Sequence, residues 1–187
     1  MRIFFSLLIL FLFSGLSAQT YTRGHYVDAG GERHEGIIAY QIGYDYFTFR
    51  ESSSADPERL KPDEVRSFAW GVENFASKAG HFVRVIVGEG PVRLYERRLP
   101  IDNPGKKQLV GDDQPGRMAM RRNFLLERVE SGEIIEVEWK RKKFIQQMSE
   151  FFADAPELVQ RIEDKEFEAG DIEKLLKVYL ESYAGEQ

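Results

Sequence analysis

The chain has 187 residues, with 26 basic against 31 acidic side chains, three histidines and no cysteine. The missing cysteine excludes a disulfide framework, a cysteine nucleophile and a thiolate metal site. The net charge of −5 argues against a dedicated nucleic-acid binder, whose domain is ordinarily basic, although the balance turns positive across residues 97–143.

Residues 1–18 read as a cleaved secretory signal peptide. Arg2 supplies the positive start, Ile3 to Phe13 an apolar run broken only by Ser6, and Ala18 a small residue ahead of the polar Gln19. The run is short for a bilayer crossing and lacks a stop-transfer flank, so no transmembrane span is expected in the mature chain. No cysteine follows the signal to carry a lipid anchor. The expected location is the periplasm or the exterior of a bacterial envelope.

Residues 19–138 read as antiparallel hairpins. "YTRGHYVDAGGERHEGIIAY" is strand, glycine turn, strand, because Gly30–Gly31 accepts the positive φ angles of a tight hairpin. "YDYFTFRE" alternates, with Phe47 and Phe49 on one face and Tyr44, Tyr46 and Thr48 on the other. A polar loop, "SSSADPERLKPDE", precedes the strand "VRSFAW". The hairpin of "HFVRVIVG" and "VRLYERR" follows, then a long surface loop over 99–117. "MAMRRNFLLERV" and "IIEVEW" form one more hairpin.

From 139 onward the period changes to that of a helix. Phe144, Met148, Phe151, Phe152 and Ala155 make one apolar stripe, and Leu158, Val159 and Ile162 make a second. Ile172, Leu175, Leu176, Tyr179 and Tyr183 make the third and cleanest. Asp154 stands as the N-cap of the second helix, with Pro156 in its first turn and Glu157 in capping-box position. Strands followed by helices spell an α+β domain. The expectation is a sandwich- or barrel-like antiparallel sheet packed by about three helices of 139–187 within the same globular domain.

Four segments, "GHYV" (24–27), "GERHEGII" (31–38), "FFADAPEL" (151–158) and "DIEKLLKVYLESY" (171–183), resemble a loose group of uncharacterised exported proteins of Bacteroidota-type bacteria. The resemblance covers both ends of the mature chain. It implies export and this architecture and brings no activity with it. His34 falls where that group usually carries an aliphatic residue.

The sequence assigns no catalytic residue and no cofactor. "RHEGII" opens like a zincin helix, but Ile38 stands where the second histidine belongs. No nucleophile elbow, P-loop or dinucleotide fingerprint occurs. One metal arrangement fits the pattern. With a two-residue Gly30–Gly31 loop, His25 and His34 become diagonal neighbours on one sheet face, joined by Glu32; a three-residue loop breaks that register. A second candidate is "EWKRKKF", where Trp139 precedes Lys140, Arg141, Lys142 and Lys143. With Arg121 and Arg122 these form a basic, aromatic-flanked patch suited to an anionic lipid or glycan. The same run also reads as a solvated helix face. Three functions are open: a non-catalytic binding or accessory protein of the envelope, a metal-dependent or hydrolytic enzyme whose site assembles only in three dimensions, and a structural partner in an envelope oligomer. The first is expected.

Overall fold

A computed structural model describes residues 21–100 and 120–185. The signal segment 1–18 and most of the 99–117 loop lie outside the described residues. Leu99 and Pro100, assigned to that loop by sequence, extend a strand instead.

Among the described residues ten strands run β1 (Thr22–Asp28), β2 (Arg33–Tyr40), β3 (Phe47–Arg50), β4 (Glu58–Leu60), β5 (Val65–Trp70), β6 (Glu73–Lys78), β7 (His81–Val87), β8 (Val92–Pro100), β9 (Met120–Arg128) and β10 (Ile134–Glu136). Three helices follow: α1 (Arg141–Phe151), α2 (Pro156–Glu163) and α3 (Ile172–Gly185), the last entered through a 3-10 turn at Ala169–Asp171. The fold is α+β. No helix among the described residues is long and apolar enough to cross a membrane.

All strands belong to one sheet ordered β10-β9-β8-β7-β6-β5-β1-β2-β3-β4, and every pairing is antiparallel. It is neither a sandwich nor a closed barrel. It coils, and chain length explains why. β4 and β5 stand four strand spacings apart, about 19 Å in a flat sheet. The residues 61–64 that join them reach about 17 Å even when fully extended, and here they turn, with the Glu64 amide bonded to the Lys61 carbonyl. The sheet must therefore curl to bring β4 back toward β5.

The crease is at Gly24 and Gly36, which face each other across β1 and β2. A Cβ on Gly36 would lie 2.2 Å from the Arg50 carbonyl oxygen and 2.6 Å from the Phe49 ring. One on Gly24 would lie 2.2 Å from the Ala69 carbonyl oxygen. No side chain fits at either position.

Two cores sit on the same side of this sheet. Inside the curl, Tyr26, Tyr40, Phe47, Phe49, Phe68, Phe75 and Phe82 pack with Ile38, Leu60 and Val65. Their rings meet across strands that are not neighbours, as where Phe47 of β3 lies 5.5 Å from Phe82 of β7. Aromatic pairs at such spacings add attraction beyond the area they bury. Farther along, Val92 and Leu94 of β8 and Phe124 and Leu126 of β9 form the floor of the second core. Phe144, Met148 and Phe151 of α1, Leu158 and Ile162 of α2, and Ile172, Leu175, Leu176 and Tyr179 of α3 cover it. The helices are packing for the sheet, as their single apolar stripes require.

One cap differs from expectation. Ala155, not Asp154, is the N-cap of α2, and no side chain caps that end. Asp154 is drawn away by two stronger partners, the Tyr179 hydroxyl at 2.6 Å and the Arg128 guanidinium at 3.2 Å.

Candidate functional site

The β1–β2 turn has a three-residue loop. Val27 pairs with Arg33, Tyr26 with His34 and His25 with Glu35. The Asp28 amide donates to the Glu32 carbonyl, and Gly31 takes φ +95° in the position a bulged turn reserves for glycine. This shifts the register by one residue from that of a Gly30–Gly31 loop, and a one-residue shift moves a side chain to the other face. His25 therefore lies opposite Glu35 on one face while His34 lies opposite Tyr26 on the other. The His25–His34–Glu32 cluster does not form. Burial, and then Arg33, hold the His25 pKa below its ordinary value.

A different trio gathers instead. Asp28, Glu32 and His34 each bring one ligand-capable atom within 4.8 Å of the others. Asp28 Oδ2 lies 3.2 Å from His34 Nε2, and Asp28 Oδ1 accepts the Glu32 amide at 2.8 Å. The amide of Glu32, then His34, hold the Asp28 carboxyl below its usual range. The His34 ring stacks on Tyr26, 4.6 Å between centroids and 14° from parallel. Tyr26 is buried, with Phe49 edge-on to it at 4.8 Å. Its hydroxyl pKa is raised, first by burial and then by the carboxylates of Glu58, Asp28, Glu51 and Glu32. An aspartate two residues ahead of Gly30–Gly31 is a turn-capping signature, so the sequence did hold a signal for Asp28.

The basic run occupies the start of α1. Lys140 is the N-cap residue, and Arg141, Lys142 and Lys143 fill the first turn; all four are exposed. No side chain caps this end and no acidic residue stands in its first turn. Among the described residues only light contacts engage the four: Lys143 Nζ to Glu138 at 3.4 Å and Arg141 to the Lys165 carbonyl at 3.4 Å. Trp139 is half exposed, at 50%. Its ring lies 6.2 Å from that of Phe124, over which the Arg122 guanidinium sits at 5.0 Å.

Arg122 spends its charge on carboxylates, and Arg121 stands on the sheet face away from that patch. The two alternate to opposite faces of β9, and Arg121 donates to Asn123 at 3.0 Å. Arg122 binds Glu96 and also reaches Glu173 of α3 at 3.3 Å.

Glu96 is the polar centre that sequence reasoning missed. Its side chain is fully buried on β8, between the two cores. Arg84 approaches it at 2.7 Å, Arg98 at 3.0 Å, and Arg122 completes the cage. Arg84 also reaches Glu73 at 3.2 Å. Burial raises the Glu96 pKa, but the arginines, Arg122 foremost, outweigh it and hold the carboxyl below its usual range. Such a self-satisfied cluster fixes packing. On the opposite sheet face Glu127 takes Lys78 at 2.6 Å and the Tyr95 hydroxyl at 2.5 Å.

No protein-family model, curated protein or solved structure matches the chain.

Proposed function

We propose that this chain is an exported, non-catalytic binding protein of a bacterial envelope, akin to the Bacteroidota group its motifs resemble. The bound component is anionic, a lipid head group or an acidic glycan, and the start of α1 engages it.

One observation carries this reading: four exposed cations and a half-exposed tryptophan crowd the positive end of a helix dipole. Helices ordinarily place acids there, because the dipole disfavours cations at that end. The fold gains only two long contacts from the arrangement, whereas an anion meets amide dipoles, side-chain charge and an amphipathic ring together. Two further observations weigh against the rival functions. The carboxylates Glu96, Glu127 and Asp154 are each taken up by basic or hydroxyl partners, which leaves them poor acid–base catalysts. Among the described residues the terminal strands of the sheet, β4 and β10, are three residues each, and such short strands are weak templates for pairing in an oligomer.

The test is co-sedimentation with anionic lipid vesicles and, separately, with an acidic polysaccharide, at low and high salt. Wild type runs beside a variant with Lys140, Arg141, Lys142 and Lys143 all changed to Gln. Salt-sensitive binding by wild type that the variant loses is expected; the arm that binds names the source of the anion. Equal binding by both proteins, or none by either, overturns the reading. Export has its own check. N-terminal sequencing of exported protein should begin at Gln19 or within a few residues, and a retained Met1 would contradict it.

A further inference from the structure

We propose that the β1–β2 turn is a binding site for a divalent transition-metal cation of the Zn2+ class, with Asp28, Glu32 and His34 as its three protein ligands. The site is independent of the basic face of α1.

Geometry comes first. Two ligand atoms about 2.0–2.1 Å from a tetrahedral ion are about 3.3 Å apart. Asp28 Oδ2 and His34 Nε2 already stand at 3.2 Å. Glu32 offers its third atom within 4.8 Å of the other two, from an exposed side chain that is free to rotate inward.

The site is also built on rigid parts. His34 is held by its stack on Tyr26, and Tyr26 is anchored in the aromatic core by Phe47 and Phe49. Asp28 is oriented by the hydrogen bond its Oδ1 accepts from the Glu32 amide, which leaves Oδ2 facing His34. Partners that orient a ligand in this way raise metal affinity.

A turn clamp alone would need only Asp28 and His34. Glu32 serves the turn through its backbone, and its carboxylate makes no hydrogen bond or ion pair among the described residues. Its position lets it serve as a third ligand. One imidazole nitrogen with two carboxylates selects first-row transition ions over Mg2+ and Ca2+, which prefer all-oxygen shells. Three protein ligands on an exposed turn keep a fourth position open to solvent.

The experiment is calorimetric titration of the purified protein with ZnCl2, and with MgCl2 as comparison. Wild type should take up one Zn2+ per chain in a saturable isotherm and show no comparable Mg2+ uptake. Glu32→Gln and His34→Gln should each weaken Zn2+ binding on the order of tenfold or more, while His25→Gln, on the other face, should not. Glu32→Gln is the decisive variant, because the turn uses only that residue's backbone and the fold should survive it. Zn2+ should raise the melting temperature of wild type more than that of Glu32→Gln. No saturable Zn2+ uptake, uptake unchanged in Glu32→Gln, or equal uptake of Mg2+ would overturn the proposal.

Discussion

The Tyr179 hydroxyl donates to Asp154 Oδ2 at 2.6 Å, tying the middle of α3 to the turn between α1 and α2. Arg128 of β9 joins them, contacting both Asp154 and the Phe151 carbonyl. One carboxylate thus pins a strand, a turn and the last helix. The Tyr179 hydroxyl is pushed up to about 12, by burial first and then by Asp154. Tyr179→Phe keeps the ring and removes the bond, and should cost about 1–2 kcal/mol after allowance for the solvent that reaches Asp154. Leu176→Ala, at a fully buried position, should cost about 2–5 kcal/mol. Urea unfolding measures both. A chain ending at Gly170 that melted like the full length would refute the packing role of α3.

Acid should unfold this protein by a defined route. Glu96, Glu127 and Asp154 are each raised by burial, and each is brought below its usual range by partners that outweigh it. Arg122 leads for Glu96, Lys78 for Glu127 and Tyr179 for Asp154. Their folded pKa values lie below the unfolded ones, so the native state binds fewer protons. The stability they contribute is complete above the unfolded carboxylate pKa of about 4 and is lost as pH falls through the folded values. Unfolding free energy should ease slightly as pH falls through the unfolded histidine value of about 6.5, because His25 is lowered in the fold, and drop steeply below about pH 4. Glu96→Gln should lose roughly 3 kcal/mol at pH 7, since three arginines keep only a neutral acceptor, and its acid drop should be shallower. Denaturation curves across pH check the sign and the slope.

Gly36→Ala is expected to be destabilising by about 1–3 kcal/mol or more, because its new methyl group would meet backbone oxygen and a core ring. Gly170→Ala is the matched control, as nothing lies within 4 Å of the added carbon. Thermal melts of the pair should diverge clearly; similar melts would mean the crease can relax.

The four-Gln variant at 140–143 carries a prediction about stability as well as binding. Removing cations from the positive end of α1 should leave stability unchanged or raise it by up to about 1 kcal/mol. A fall larger than that in a thermal melt would give these side chains a structural use.

The sequence conveyed class and faces well and long-range pairings poorly. Phe47 and Phe49 are buried where expected, as are Ile172, Leu175, Leu176 and Tyr179 of the last stripe, whereas its fifth member, Tyr183, is exposed. β6, "ENFASK", was invisible because Phe75 is its only deeply buried residue. β4, "ERL", hid in a polar loop because Leu60 alone is buried. The metal candidate turned on one residue of loop length, which separates His25 from His34 and brings in Asp28. The Glu96 cluster could not be read from the chain. Its arginines come from β7, β8 and β9, and only the strand register brings them together. Asp154 looked like a local cap because Tyr179, its stronger partner, is 25 residues away.

β1 lies in the interior of the sheet although it is the first strand among the described residues. A chain delivered N-terminus first adds β2, β3 and β4 outward from one side of β1, and the turn at 61–64 brings β5 to its other side. Once Phe82 has emerged, every member of the aromatic core is present. The second core must wait, because its floor begins at Val92 and its cover ends at Tyr179. Delivered in that direction, the chain would close its first core early and leave the second uncovered until Tyr179 has emerged. The apolar floor of β8 and β9 is then the surface a chaperone would meet during that interval.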